Sequence, residues 1–219
     1  MIPLEDDSRR PSRFPIITIS IIFLNALAFL LELAHGNAFV IQWSLTPAQV
    51  VGGHHLVTIL TAMFIHGSWS HIIGNMVFLW AFGPEIEDAM RPARFLVFYL
   101  AGGVAAMLAQ IATDPGSTVP ILGASGAIAA VMGAFLVTFP KDRIRTILFF
   151  GFFFRVTFIP AALLIGFWFL VQLLSFGAIT NVQSGGVAYL AHISGMIFGA
   201  LAARLFEVPG WLTRGQVKN

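Results

Sequence analysis

Long apolar segments alternate along this sequence with short polar ones, and the basic residues occupy only every second polar segment. Because the hydrocarbon core of a bilayer is roughly 30 Å thick, about 20 apolar residues can cross it as a helix. Five segments qualify: Ile16–Leu33, Phe95–Ala112, Ile121–Phe139, Ile159–Ile179 and Val187–Phe206. A sixth, less uniform segment is predicted to be helical from about Trp69 into the region of Glu87. The chain is only 10% charged, so the predicted fold is an all-α, six-helix polytopic membrane bundle.

The distribution of positive charge predicts the orientation of these spans, because cytoplasmic loops retain Lys and Arg. All 12 basic residues precede the first span, separate the second from the third or the fourth from the fifth, or lie at the end of the sixth. Segments 34–68, 113–120 and 180–186 contain none. We therefore expect both termini in the cytoplasm. As a separate expectation, we assign the chain to the inner membrane of a bacterial cell. The predicted divisions are a tail over 1–13, a membrane domain over 14–206 and a tail over 207–219.

Two connections between the spans require separate predictions. Residues 35–68 are expected to form a long external loop. The aromatic segment Ile147–Phe154 is too short to span, and we expect it to lie at the interface or to lead into the fifth helix, with Pro160 in the first turn. The chain contains no cysteine, so disulfides and thiolate metal sites are impossible. Its scattered basic residues argue against nucleic-acid binding.

Few polar residues lie inside the predicted spans, and each is a candidate functional residue because buried polar groups are costly in lipid. His71 and Asn75 are four residues apart and share one face of the second helix. Ser125 lies near the start of the fourth helix, and His192 lies about one turn into the sixth. All three helices enter from the external side, so the four side chains are expected at similar shallow depth.

Small residues at a spacing of four predict that the fourth and sixth helices pack closely. The two rows are Ser125, Ala129 and Gly133, and Ala191, Gly195, Gly199 and Ala203. Close packing would allow His192 to remove the proton of the Ser125 hydroxyl, which is otherwise a weak nucleophile. His71, Asn75 and the backbone N–H of Ser125 could each donate to an oxyanion. Each polar residue taken alone is more often interhelical packing or hydrogen bonding.

The remaining polar residues are predicted to be structural. We assign Gln110 and Gln172 to structural hydrogen bonding, and Glu87 to a cytoplasmic cap or loop anchor. Among the ten carboxylates, only Glu32 and Asp114 fall on the external side of the predicted topology. Both are expected to be hydrated, so the sequence predicts a Ser-His dyad with no acidic third member. The histidine tautomer would then be set by a backbone carbonyl, a water or packing.

Three motifs resemble the rhomboid family of intramembrane serine proteases, and the resemblance runs from about Thr61 to Arg204. They are Gly123-Ala124-Ser125-Gly126, Ala191-His192-Ile193-Ser194-Gly195, and His66-Gly-Ser-Trp-Ser-His71-Ile-Ile-Gly-Asn75. The resemblance implies Ser125 as nucleophile, His192 as general base, and His71 with Asn75 as oxyanion donors. It also implies that His66 is structural. Two positions depart from the family: Ala129 replaces an aromatic residue that often stacks on the histidine, and Val57-Thr58 lies near the place of a Trp-Arg pair that is common in the first external loop.

The resemblance further implies the partners of the site. Rhomboid proteases cleave transmembrane proteins that enter laterally from the lipid membrane, and they use no metal and no cofactor. Their fifth helix is thought to gate this entry, which would give a gating role to Phe167, Trp168 and Phe169. Two alternatives remain: a catalytically inactive rhomboid-like protein that binds helices, and a metal or ion transporter. The second is motivated by four histidines near the external surface: His54, His55, His66 and His71.

Overall fold

A computed structural model describes residues 1–150, 153–178 and 188–210. Nine α-helices occur in this part of the chain: α1 (Ile16–His35), α2 (Asn37–Trp43), α3 (Pro47–Val51), α4 (Thr58–Thr61), α5 (Trp69–Met90), α6 (Pro92–Thr113), α7 (Ser125–Thr138), α8 (Ala161–Ala178) and α9 (Tyr189–Phe206). A short 3₁₀-helix, Ala62–Phe64, follows α4. The prediction of a helical membrane bundle is confirmed.

The six long helices correspond to the six predicted spans. Three of them, α1, α6 and α9, are long and apolar enough to cross a membrane by length and composition. Helices α7 and α8 are apolar but shorter, with apolar stretches of Ser125–Thr138 and Ala161–Phe176. Helix α5 begins at Trp69 because Ser68 caps it, its hydroxyl accepting a hydrogen bond from the His71 N–H at 3.3 Å. The predicted external loop, 35–68, contains α2, α3, α4 and the 3₁₀-helix.

Helices α7 and α9 cross at the centre of the bundle with their backbones in direct contact. A Cβ atom placed on Gly199 would overlap the carbonyl oxygen of Ala130, and one on Gly195 would overlap that of Gly126. Gly133 of α7 is similarly closed in by the backbone of α9. The small residues thus allow the close approach that their spacing predicted.

A three-stranded antiparallel sheet, which the sequence did not predict, adjoins the bundle. Its strands are β1 (Ile2–Asp6), β2 (Arg143–Phe150) and β3 (Phe153–Pro160), in that order. The expectation of a pre-turn to the fifth helix over Ile147–Phe154 was therefore wrong, because the described residues of this segment form strands, and Pro160 ends β3 instead of lying in the first turn of a helix. Exposed Arg143 and Arg145 alternate with buried Ile144 and Thr146, as in a strand with one covered face.

Carboxylates from α5 hold the start of α1 at the predicted cytoplasmic end. Glu87 accepts hydrogen bonds from the N–H groups of Ile17 and Thr18 at 2.9 and 2.8 Å, and from the Thr18 hydroxyl at 2.8 Å. These are first-turn donors that lack partners within their own helix. Asp88 accepts from the backbone and hydroxyl of Ser12. Glu87 is thus a cap supplied by a neighbouring helix.

Candidate active site

Ser125 is the first residue of α7, because the chain turns sharply just before it. Gly123 has a φ of +120°, a conformation that favours glycine, and its N–H donates to the carbonyl of Ala62 at 2.8 Å. The predicted helix from Ile121 therefore begins four residues late. Helix α7 has 14 residues, or roughly 21 Å at 1.5 Å per residue, which is shorter than the bilayer core. Its N-terminus therefore fits within the membrane.

His192 lies one turn into α9 and contacts Ser125 directly. Its Nε2 atom is 2.7 Å from the Ser125 hydroxyl oxygen, which is hydrogen-bond distance. His192 is 8% exposed, whereas Ser125 is partly exposed. The backbone contacts of Gly195 with Gly126 fix the two helices one turn away from this pair. The geometry needed for a histidine to take the serine proton is therefore present.

Three hydrogen-bond donors are candidates for the oxyanion site: His71, Asn75 and the N–H of Ser125. A Cβ atom placed on Gly123 would lie 2.7 Å from Nε2 of His71 and 3.6 Å from the Ser125 hydroxyl, so these two groups flank the same glycine. Asn75 is 8% exposed, and its amide nitrogen has no hydrogen-bond partner within the described part of the chain. The N–H of Ser125, at the first position of α7, has no acceptor within its helix. Such donors suit an oxyanion.

The second ring nitrogen of His192 contacts a residue that the sequence analysis had assigned to structural bonding. Nδ1 lies 2.7 Å from Oε1 of Gln172 on α8. The His192 ring is also flanked by Trp168 at 5.5 Å and by Tyr189 at 6.4 Å between ring centroids. These three residues therefore contact the His192 ring in place of the aromatic side chain that Ala129 lacks.

Comparison with known proteins identifies the family of this chain. The model of the Rhomboid domain matches residues 53–207 of the chain. The chain belongs to the rhomboid family.

Named relatives include bacterial and mitochondrial rhomboid proteins. The chain is 29% identical over 203 residues to "Rhomboid protease GluP" of Bacillus subtilis, covering 89% of this chain and 36% of that protein. It is 35% identical over 92 residues to the human "Presenilin-associated rhomboid-like protein, mitochondrial" (40% of this chain, 24% of the relative). It is 27% identical over 151 residues to "Rhomboid protein 1, mitochondrial" of Saccharomyces cerevisiae (66% and 40%). The chain therefore spans about a quarter to two fifths of the length of these relatives.

Within this rhomboid fold, His66 is fully buried and its contacts are structural in character. Its N–H donates to Glu32 at 2.8 Å, and its ring lies 5.0 Å from that of His71. Glu32 is only 5% exposed, so the expectation that it is hydrated was wrong: α1 turns it inward to bind the backbone ahead of α5. Asp114 is exposed, as expected.

The three aromatic residues assigned to the rhomboid gate do not share one surface. Phe167 is 53% exposed on the outside of α8. Trp168 points inward, where its ring lies 6.5 Å from that of Phe78 on α5 as well as near His192. Phe169 is partly buried against the core. Trp168 therefore connects α8 to both α5 and α9.

The histidines that motivated a metal-transport alternative do not converge on one point. Among the described residues, no three His, Asp or Glu side chains are grouped so that they could hold a metal ion. His54 and His55 are exposed, whereas His66 and His71 lie beside each other next to the serine.

Proposed function

We propose that this rhomboid is an intramembrane serine endopeptidase that cleaves transmembrane segments with a dyad of Ser125 and His192. The observation that carries this proposal is the 2.7 Å separation between the serine hydroxyl and Nε2 of the histidine. The kinship with a bacterial protein named as a rhomboid protease supports it.

The first chemical step is attack of the Ser125 oxygen on the carbonyl carbon of the scissile peptide bond. As the C–O bond forms, the hydroxyl proton moves to Nε2 of His192, which acts as general base. The carbonyl oxygen becomes an oxyanion and requires donors in place before the charge develops. The Ser125 N–H, His71 and Asn75 are proposed to supply them, and the positive end of the α7 dipole favours the same charge.

The tetrahedral intermediate collapses when the peptide C–N bond breaks. His192 returns its proton to the leaving amine, and the new C-terminal fragment departs. The remaining acyl-enzyme ester is attacked by water, which His192 deprotonates in turn. The ester C–O bond then breaks, the N-terminal fragment leaves with a new carboxyl group, and the Ser125 oxygen regains its proton from His192, so atoms and charge balance over the cycle.

We infer from the fold that the substrates are transmembrane proteins that reach the site laterally from the bilayer. The protein is proposed to reside in a bacterial inner membrane, with both termini in the cytoplasm. This orientation predicts that an impermeant thiol reagent labels a cysteine introduced at exposed Gly53 from outside the cell, and one at exposed Lys141 only after lysis. The reverse labelling pattern would overturn it.

A cleavage assay tests the proposed activity. The full chain is reconstituted in liposomes with a single-span substrate that carries small residues near its outer end. The wild type should yield two fragments, and Ser125→Ala should yield none. Ser194→Ala is the matched control, because within the described part of the chain the Ser194 hydroxyl bonds only carbonyls of its own helix, those of Leu190 at 2.6 Å and Ala191 at 3.3 Å, so that variant should cleave normally.

Two results would contradict the proposal. Substrate binding without cleavage by the wild type would indicate an inactive rhomboid-like helix-binding protein instead. Undiminished cleavage by Ser125→Ala would exclude the serine as nucleophile.

A further inference from the structure

Gln172 is a buried polar residue in a helix that is otherwise almost entirely apolar. Helix α8 has the sequence AALLIGFWFLVQLLSFGA, and the Gln172 side chain is only 7% exposed. A primary amide in apolar surroundings is costly unless it is hydrogen-bonded. Its acceptor oxygen lies 2.7 Å from Nδ1 of His192, so this amide is directed at the histidine of the proposed dyad.

The contact made by the amide nitrogen of Gln172 determines the orientation of its side-chain amide. Nε2 of Gln172 contacts the backbone carbonyl of Trp168, one turn earlier, at 3.5 Å. A carbonyl can only accept a hydrogen bond, so the NH₂ group belongs on the Trp168 side and the oxygen on the His192 side. The oxygen in turn can only accept, which requires the proton of the neutral imidazole to be on Nδ1. Nε2 then carries the lone pair that receives the Ser125 proton.

The residues around the Ser125–His192 pair lie on helices that are held in the bundle in two different ways. Ser125 and His192 lie on α7 and α9, whose backbones touch through Gly126 and Gly195. Gln172 and Trp168 both lie on α8. Outside its own stretch of helix, no described heavy atom lies within 4 Å of a Cβ placed on Gly166 of α8.

Helix α8 also presents a broad apolar outer face. Its exposed side chains include Leu163, Phe167, Leu170 and Leu174. Near His192, α8 instead meets the bundle through the side chains of Gln172 and Trp168. Moving α8 outward would separate Gln172 and Trp168 from His192 while leaving the pair on α7 and α9 together.

We propose that Gln172 is a positioning residue that fixes the tautomer of His192, and that it makes this tautomer depend on the closed position of α8. This inference rests on the proposed function, since it concerns the base of the same dyad. A substrate that enters by displacing α8 finds a histidine whose tautomer is no longer fixed. Acylation then proceeds when α8 has returned over the bound segment.

Kinetics of matched variants test the role in turnover. Gln172→Leu should lower kcat by about 10- to 100-fold with KM within about twofold, less than the roughly 10⁴ lost when a triad aspartate is neutralised. Gln172→Glu retains an acceptor oxygen and should restore kcat to within about fivefold of the wild type. Leu173→Ala, a neighbouring lipid-facing change on α8, should leave both constants unchanged. Equal losses in the Leu and Glu variants would indicate a merely structural glutamine and overturn the proposal.

A spectroscopic measurement tests the tautomer without requiring turnover. In ¹⁵N-histidine-labelled protein, the His192 resonances are identified by their loss in His192→Ala. The wild type should show the proton on Nδ1, and Gln172→Leu should show a mixture of the two tautomers. An unchanged Nδ1–H tautomer in Gln172→Leu would overturn the inference. Because this readout does not depend on cleavage, failure of the proposed protease activity would appear separately, as an inactive wild type with an intact tautomer.

Discussion

Helix α9 makes two very different interfaces, one with α7 and one with α8. Against α7, its glycines allow backbone to meet backbone, as Gly199 does at Ala130. Against α8, the contacts near the site are made by side chains, with Gln172 and Trp168 reaching the imidazole of His192. Under the proposed function, this difference would combine rigidity with access: the proposed dyad lies on the interlocked helices, and the groups proposed to orient the base lie on the helix held by side chains.

The largest expected effect comes from disturbing the interlocked interface. Gly199→Ala adds a methyl group where the Ala130 carbonyl lies, so α9 must shift, and overpacking of this kind typically costs about 1–3 kcal/mol. We expect a lower thermal unfolding temperature and loss of most cleavage activity. Gly166→Ala on α8 is the matched control: it meets open space, and alanine is the better helix former by about 1 kcal/mol. Equal effects at the two glycines would remove the distinction between the interfaces.

A smaller loss is expected when the interlocked pair is kept and one oxyanion donor is removed. Asn75→Ala should lower kcat by about 10- to 100-fold, below the 10²–10³ attributed to a sole donor, because His71 and the backbone share the charge. Asn25→Ala is a matched control, since among the described residues buried Asn25 bonds only the Ile21 carbonyl within α1, at 2.7 Å. It should change thermal stability but not kcat of the folded protein. Wild-type kcat in an Asn75→Ala, His71→Ala double variant would exclude both residues as donors.

The smallest effect is expected in the sheet, away from both interfaces of α9. Burial, followed by a hydrogen bond with Asp142, raises the pKa of the Asp6 carboxyl to about 7. The unfolded chain ionises this group near 3.8, so between these values the folded state binds more protons than the unfolded state. The contribution of Asp6 to stability is therefore full below about pH 4 and is lost as the pH rises through 7.

Thermal unfolding across this pH range checks the sign. The unfolding temperature of the wild type should fall between about pH 4 and pH 7, and Asp6→Asn should reduce that fall. Asp7→Asn alters the exposed neighbouring carboxylate and should leave the fall unchanged. A wild-type unfolding temperature that rises with pH over this range would contradict the assignment.

The sequence predicted the parts of the fold that depend on hydrophobic length and small-residue spacing. The start of α5 at Trp69 and the close approach of α7 to α9 were both predicted. Each depends only on residues within one helix or within a single pair of helices. It did not predict the sheet. Strands β2 and β3 form a hairpin that is apolar enough to suggest an interfacial or pre-helical role. Strand β1, which completes the sheet, has five residues near the N-terminus and is far from the hairpin in sequence.

The environment of His192 was predictable only in part. The candidate nucleophile and base could be identified from their depth and from the motifs around them. The partner of Nδ1 could not, because α8 carries large apolar residues around its circumference and its sequence does not reveal which face is buried. The one available signal was the presence of a glutamine in the middle of that apolar helix, which is costly unless it has a partner.

The most direct test of the account is whether His192 activates Ser125. A fluorophosphonate probe reacts with an activated serine, and mass spectrometry of the digested protein identifies the modified residue. We predict a single adduct on Ser125 in the wild type, and loss of that adduct in a folded His192→Ala variant. An adduct on another serine, or labelling of Ser125 at the same rate without His192, would contradict the dyad.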